Sequence, residues 1–344
     1  MKKGSALLVP RMSLRHFFRL VTHTQLLPVL ESGEETLVGG QAVMEGVMMR
    51  APHSYCVAVR RSNGEIATEE APLPRVSEKY PIFKLPILRG IGTLGQAMSL
   101  GVKALRFSTN IAMEEENAAK GKPEASSEVP AWMMTLNLIF SIGFFIVMYK
   151  VLPAFATGQL ASYFPVLQQG ALFSLVDGVI RLIIFLAFLY GISRYKDIHR
   201  VFEYHGAEHK VVYNFESGRP VTVENAQSFT TLHPRCGTSF LLVVMLISMA
   251  TYMIVDPLLG LNTVPAKIAS RVVLIPVIAG LSYELIRFAA RRRGSLLAAM
   301  TVPGLWLQKI TTQPPSDDQT AIAIHALEGA MALEKKQGGQ LVIA

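Results

Sequence analysis

The sequence predicts a mainly α-helical integral membrane protein, with four transmembrane helices and a small cytoplasmic α+β portion. Three observations carry this prediction. Of the 344 residues, 51% are hydrophobic, and the mean hydropathy is +0.35. The apolar excess is concentrated in four stretches, at 132–155, 170–192, 237–255 and 270–290. Each is near the roughly 17–25 residues that cross a bilayer. Lysine and arginine cluster on one side of these stretches, and Asn63-Gly64, a strong hairpin signal, lies well before them.

Taken in order, residues 1–36 form a basic leader of weak order. It has no apolar core and cleavage site of the kind that marks a signal peptide. Residues 37–113 make a soluble unit. Alternating runs on either side of Asn63-Gly64 predict a small β structure over 37–74, and helical apolar spacing follows. That helix is expected to be buried or to lie on the membrane surface. Residues 114–131, rich in charge, read as a linker. Residues 132–292 hold the four spans. The segment between the second and third carries Arg194, Lys196, Arg200 and Lys210, and "RFAARRRG" follows the fourth. The first-to-second loop has no Lys or Arg, and the third-to-fourth has only Lys267 and Arg271. Positive residues stay on the cytoplasmic side, so both termini and the 193–236 insertion are expected there. Residues 293–344 form a helical tail, interrupted at Pro314-Pro315 and restarted by Ser316 and two aspartates.

The net charge of +8 sits beside apolar runs. That distribution suits headgroup contact with the lipid bilayer. No recognition motif accompanies the charge, so a nucleic-acid partner is not expected. Two cysteines, Cys56 and Cys236, imply no disulfide framework.

Metal chemistry is concentrated in the insertion. In "HGAEH", His205 and His209 are spaced to share one helix face, where a single ion reaches both. Glu208 beside them completes the order H-x-x-E-H, in which the glutamate accepts a proton from water. "HPRC" then supplies His233 and Cys236. The four donors suit a tetrahedral ion, and mixed nitrogen and sulfur favours zinc, with another divalent transition metal as the alternative. Four protein ligands would close the shell, as in structural zinc. Three plus water would leave it open, as in catalytic sites.

Around this set, Glu224 and Glu216 are candidates to orient an imidazole. Arg235 and Arg50 are candidates to stabilise a developing oxyanion. Gln41, Glu45 and Arg50, beside Gly39, Gly40 and Gly46, could complete a pocket or simply form a turn. Glu284, near the cytoplasmic end of the fourth span, could approach it. Asp177 and Arg181 lie inside the second span, where ionisable residues are costly and are functional candidates. The linking stretch after Ser217-Gly218 is expected to hold a short strand, then a helix ending near Thr231. A straight extension of the second span would carry His205 about 20 Å beyond it. A bend at Gly191–Ser193 would bring it back.

The pieces "VGGQAVMEGVMMR", "LRGIGTLGQAMSLGVKAL", "YHGAEHKVVYNFESG", "VTVENAQSFTTLHPRCGTSFLLVVML", "LSYELIRFAAR" and "PGLWLQKITTQPP" resemble the YqhQ-like bacterial membrane proteins, from about residue 37 onward. The resemblance implies a bacterial inner-membrane protein, predicted to be a metal-dependent enzyme, with a metal site at His205, His209, His233 and Cys236.

Three functions are compatible with these residues. The leading one is a zinc-dependent hydrolase at the cytoplasmic face, with Glu208 as general base and a peptide or lipid-linked substrate. The second is a scaffold with structural zinc that docks a membrane-associated protein. The third is a transporter or channel subunit lined by Asp177, Arg181 and Glu284, which requires an oligomer.

Overall fold

The structure, a computed structural model, describes residues 38–74, 76–121, 130–168, 170–233, 236–291 and 302–336. The leader, Arg235 and the end of the tail lie outside them. The described chain is mostly helical, with one small antiparallel sheet.

The sheet has four strands in the order β1-β2-β3-β4. These are β1 (Gly39–Val43), β2 (Gly46–Arg50), β3 (Ser54–Arg60) and β4 (Ile66–Pro72). Asn63-Gly64 joins β3 to β4, with Gly64 at φ +88°. A short helix α1 (Val76–Lys79) leads to α2 (Leu88–Ala119).

Both faces of the sheet are covered, and the strand period of two decides which residue goes where. Val43, Met48, Tyr55, Val57 and Val59 pack on Leu100, Ala104 and Ile111 of α2. Val47, Met49 and Ala58 face the opposite side. There they meet α6 (Lys196–Glu216) and α12 (Asp317–Lys336). Tyr204, Ala207, Val211 and Val212 of α6 recur at helical spacing and fill this second core.

Residues 114–119, expected in a linker, belong to α2. Glu114 accepts from Arg61 at 2.9 Å and Glu115 from the Ser62 amide at 2.6 Å. These bonds tie the helix end to the β3–β4 loop. Charge here marks a partner rather than a solvated spacer.

Three helices are long and apolar enough to cross a membrane, or up to four if one bent pair counts as a span. The first apolar helix runs beyond 155, to Tyr163. It comprises α3 (Ala131–Ile146), a π-helical turn (Val147–Val151) and α4 (Leu152–Tyr163). Pro153 has no N–H to donate backward, and the turn before it is opened. Next come α5 (Gly170–Ile192) and α8 (Gly237–Leu258). The stretch at 270–290 is not one straight helix. It falls in α9 (Val264–Val273) and α10 (Ile275–Arg291), bent by 53°. Lys267 and Arg271, expected as loop charges, lie on α9 and are 3% and 0% exposed.

Between Gly218 and His233, all described residues, no strand forms. The chain turns, and Thr222 caps the short helix α7 (Val223–Gln227), accepting from the Asn225 amide. That helix ends before Thr231 because Ser228 and Phe229 close it with turn hydrogen bonds.

At the tail, α11 (Val302–Thr311) precedes the Pro314-Pro315 break. Ser316 and Gln319 then form a reciprocal capping pair. The Ser316 amide donates to Gln319 at 2.8 Å, and the Gln319 amide donates to the Ser316 hydroxyl at 3.2 Å.

Glu334 fastens the far end of α12 to the sheet. It accepts from the His53 amide at 2.9 Å and from the Ser54 hydroxyl at 2.8 Å. Burial opposes its charge, but hydrogen bonds from His53 and Ser54 outweigh that and hold its carboxyl below the usual value. Its folded pKa is therefore depressed. The stabilisation is complete above the ordinary carboxyl pKa and is lost as pH falls through the lowered one. Glu334→Gln should loosen the C-terminal turns of α12 by about 1–3 kcal/mol at neutral pH. Hydrogen exchange of the α12 amides checks this, and wild type should approach the variant only in acid.

Candidate metal centre

The chain breaks at 193–195, so α6 is not a continuation of α5. The break allows His205 to reach the start of α8, where Cys236 is the N-cap. His205 Nε2 lies 3.2 Å from Cys236 Sγ. The cluster therefore sits at the end of an apolar helix rather than about 20 Å beyond it.

His205, His209 and Cys236 each offer one donor atom, and these atoms lie within 4.8 Å of one another. Tetrahedral zinc, with bonds of about 2.0–2.3 Å, needs donors roughly 3.3–3.8 Å apart. A small adjustment therefore seats an ion.

The far side of each imidazole is also set. His205 Nδ1 is 2.7 Å from the Thr311 carbonyl, and His209 Nδ1 bonds the Thr231 carbonyl. A carbonyl only accepts, so each Nδ1 must carry the proton. Each Nε2 then keeps its lone pair for a metal, the usual outer support of a ligating histidine. Cys236 Sγ accepts from the Thr238 amide at 3.4 Å and lies 3.1 Å from its hydroxyl.

Glu208 is 7% exposed. Its Oε2 is 3.6 Å from His209 Nε2 and 4.0 Å from His205 Nε2. Gly40 of β1 makes room for it, since a Cβ at Gly40 would stand 2.7 Å from Glu208 Cγ. This gives Gly40, the second glycine in "VGGQ", a specific task at the site.

His233 is not in the three-donor group. Its Nε2 is 3.5 Å from Glu216 Oε2, and its ring packs edge-on to Tyr213 at 4.4 Å between centroids. Gln308 of α11 fixes its peptide, donating to the carbonyl at 2.8 Å and accepting from the amide at 2.7 Å. Burial pushes the His233 pKa down to about 4, so the ring is neutral at neutral pH. Of the four donors expected from sequence, the structure brings His205, His209 and Cys236 within 4.8 Å of one another and places the His233 ring 5.5 Å from that of His209, centroid to centroid.

The surrounding candidates divide. Arg50 lies within electrostatic reach of Glu208. Glu224 is exposed on the first turn of α7. Glu45 sits in the β1–β2 turn at φ +53° and pairs with Arg200, which donates to it at 2.7 Å. Burial opposes the Glu45 charge, yet Arg200 and Tyr204 hold its carboxyl below the usual value. It therefore braces the hairpin against α6 rather than lining the cluster. Glu284 binds Arg89 of α2, accepting from its Nε at 2.6 Å. Arg235 lies outside the described residues. Asp177 pairs with both Arg181 and Arg271.

Sequence reading missed four contributors. Thr311 and Thr231 act through backbone carbonyls, which every residue has, so no side-chain pattern could reveal them. Gln308 acts across 75 residues. Lys210 donates to the carbonyls of Gln227 and Phe229, both at 2.7 Å. It thereby holds the loop that carries Thr231, and its place in "HGAEHK" was the only available hint.

These features define a class: a mainly helical chain with three or four apolar helices long enough to cross a membrane, whose small sheet is layered against the helix that carries His205, Glu208 and His209, with Cys236 beside them. The chain belongs to the family described as "Protein of unknown function (DUF1385)", which matches residues 85–333 and includes every donor named above. It is 34% identical over 303 residues to "Uncharacterized protein YqhQ" of Bacillus subtilis (strain 168), covering 86% of this chain and 92% of the relative. No solved structure matches it.

Proposed function

We propose that the chain spans the bacterial inner membrane four times, with α9 and α10 as one bent span, and that it is a zinc-dependent hydrolase. The placement of charge supports this topology. With Lys267 and Arg271 buried on α9, the loop at 259–263 has no basic residue. The contrast with the basic 193–236 side is then complete. The sheet, α6, α12 and Cys236 fall together on that basic side, which is the cytoplasmic one.

One observation carries the enzymatic reading. Two imidazoles are locked by backbone carbonyls so that their free nitrogens converge with a cysteine, and a buried carboxylate stands 3.6 Å from one of those nitrogens. Zinc in such a three-ligand site supplies Lewis acidity to water and to a substrate carbonyl or phosphoryl oxygen. Glu208 is placed to take the proton at Oε2 and return it to the leaving group. Arg50 adds positive potential for the developing oxyanion. Because the cluster lies at the end of α8, a lipid-linked or membrane-associated peptide substrate reaches it along the membrane face.

The competing reading is a scaffold. It is favoured by His233, whose ring centroid is 5.5 Å from that of His209 and which could close the shell. Elemental analysis and metal-edge X-ray absorption on detergent-purified wild type, Cys236→Ser and His233→Ala decide between them. The hydrolase reading expects about one zinc per chain, with one sulfur, two nitrogens and one further light atom. It also expects the sulfur scattering to disappear in the variant. Loss of His233 changing the shell from closed to open would make the zinc structural. Wild type without stoichiometric metal overturns both.

A further inference from the structure

A second polar centre lies at the opposite end of the bundle. Asp177 and Arg181 of α5, Asp256 of α8, and Lys267 and Arg271 of α9 are each no more than 3% exposed. Lys150 reaches the same group from the π-helical turn and stands within electrostatic range of Asp177, Arg181 and Arg271. Asp256 and Cys236 lie at opposite ends of α8, about 30 Å apart at 1.5 Å per residue. The centre is therefore separate from the metal cluster.

Its charges do not balance. Arg271 bridges the aspartates, donating to Asp177 at 3.2 Å and to Asp256 at 3.1 Å, and Arg181 also pairs with Asp177. Two guanidiniums thus offset two carboxylates. The lysines remain in excess, since among the described residues neither meets a carboxylate. Lys267 Nζ instead sits 3.5 Å over the Phe173 ring, and Lys150 donates to the Tyr252 hydroxyl at 3.2 Å. The Nε of Arg181, also buried, has no hydrogen-bond partner among the described residues.

Buried cations without counter-charge are costly. Two independent features nevertheless hold them in place. Pro153 opens the π-helical turn that carries Lys150, and such turns concentrate at functional sites. The bend between α9 and α10 lets α9 direct both of its cations inward.

We infer that this centre binds a phosphate oxyanion, with Lys150, Lys267 and the Nε of Arg181 as its donors. The aspartates keep the arginines ordered, and their unpartnered Oδ1 atoms accept from a phosphate hydroxyl or from water. The oxyanion is supplied either free or as the headgroup of an acidic lipid. Asp256 and Lys267 each lie within about one turn of a helix end, a depth a headgroup reaches. The inference does not depend on what the metal cluster does.

The test uses full-length protein in detergent, as wild type, Lys150→Gln and Lys267→Gln. Gln keeps a donor and most of the length but removes the charge. Lipid phosphorus and native mass spectrometry are read after exhaustive delipidation. Melting is then followed in inorganic phosphate against chloride at matched ionic strength, and in nanodiscs of phosphatidylglycerol against phosphatidylcholine. One retained acidic phospholipid per chain, with higher stability in phosphatidylglycerol, identifies the headgroup. Stabilisation of delipidated wild type by inorganic phosphate identifies the free ion. In either case the variants should bind about tenfold more weakly, as expected for the loss of one charge-assisted contact. Wild type that retains no lipid and responds to neither probe overturns the inference. Binding that persists unchanged in both variants also overturns it. The centre is then an ion network that only holds the helices in register.

Discussion

If the cluster holds zinc as proposed, His209→Ala is expected to strip it from the protein, whereas His233→Ala is expected to leave it bound. His209 contributes one of three converging donors. Structural zinc sites are worth about 10–16 kcal/mol over four ligands, so one ligand represents about 10²–10³-fold in affinity. His209 is 2% exposed, and its removal also leaves the Thr231 carbonyl without its imidazole partner. His233 makes its polar contacts with Glu216 and Gln308 instead. Its replacement opens a cavity beside Tyr213 and costs stability without costing zinc. Competition against a chelator of known affinity, on both variants at matched pH, reads the difference directly. Equal losses in the two would place His233 in the shell and move the reading to a structural site.

Gly206→Ala should be among the most damaging single-methyl additions in the chain. A Cβ there would stand 2.0 Å from the Gln313 carbonyl oxygen, a backbone atom that cannot rotate away. Alanine's helix preference favours the change by about 1 kcal/mol. The overlap costs more, roughly 2–4 kcal/mol once the chain shifts to relieve it, so the net effect is destabilising. The damage should reach the site as well. Gln313 follows closely on Thr311, whose carbonyl holds His205 Nδ1 at 2.7 Å. Moving that segment releases the imidazole, and lost outer support of this kind lowers metal affinity about 10–100-fold. Gly95→Ala in α2 is the control, since nothing lies within 4 Å of its Cβ position. It should be neutral or slightly stabilising. Thermal melts and zinc titrations of the two variants side by side check both halves of the expectation.

The contrast between Gly206 and Gly95 shows how far the residues alone can be read. The apolar stretches, the Asn63-Gly64 turn, the Ser316 restart and the helical spacing of His205, Glu208 and His209 are local patterns. Local patterns are legible because bilayer thickness, turn geometry and the 3.6-residue repeat each act within a few residues of chain. Even here the bend in the fourth apolar stretch was not legible, because composition records apolarity and not direction. The 53° bend and the burial of Lys267 and Arg271 go with packing of α9 against α4 and the π-helical turn, and with ion pairs from Arg271 to Asp177 and Asp256.

The metal cluster divides along the same line. That His205, His209 and Cys236 are metal-ligand types at useful spacing is a property of the sequence. Which three of four donors converge depends on contacts across large separations. Thr311 reaches His205 over 106 residues and Gln308 reaches His233 over 75. Gly40 clears space for Glu208 from a strand far earlier in the chain. Such contacts depend on backbone carbonyls, steric clearance and helix placement, none of which leaves a residue-type signature. The sequence therefore determined the candidate donors and the apolar stretches, and the tertiary structure decided which of those donors stand together and revealed the second charged centre.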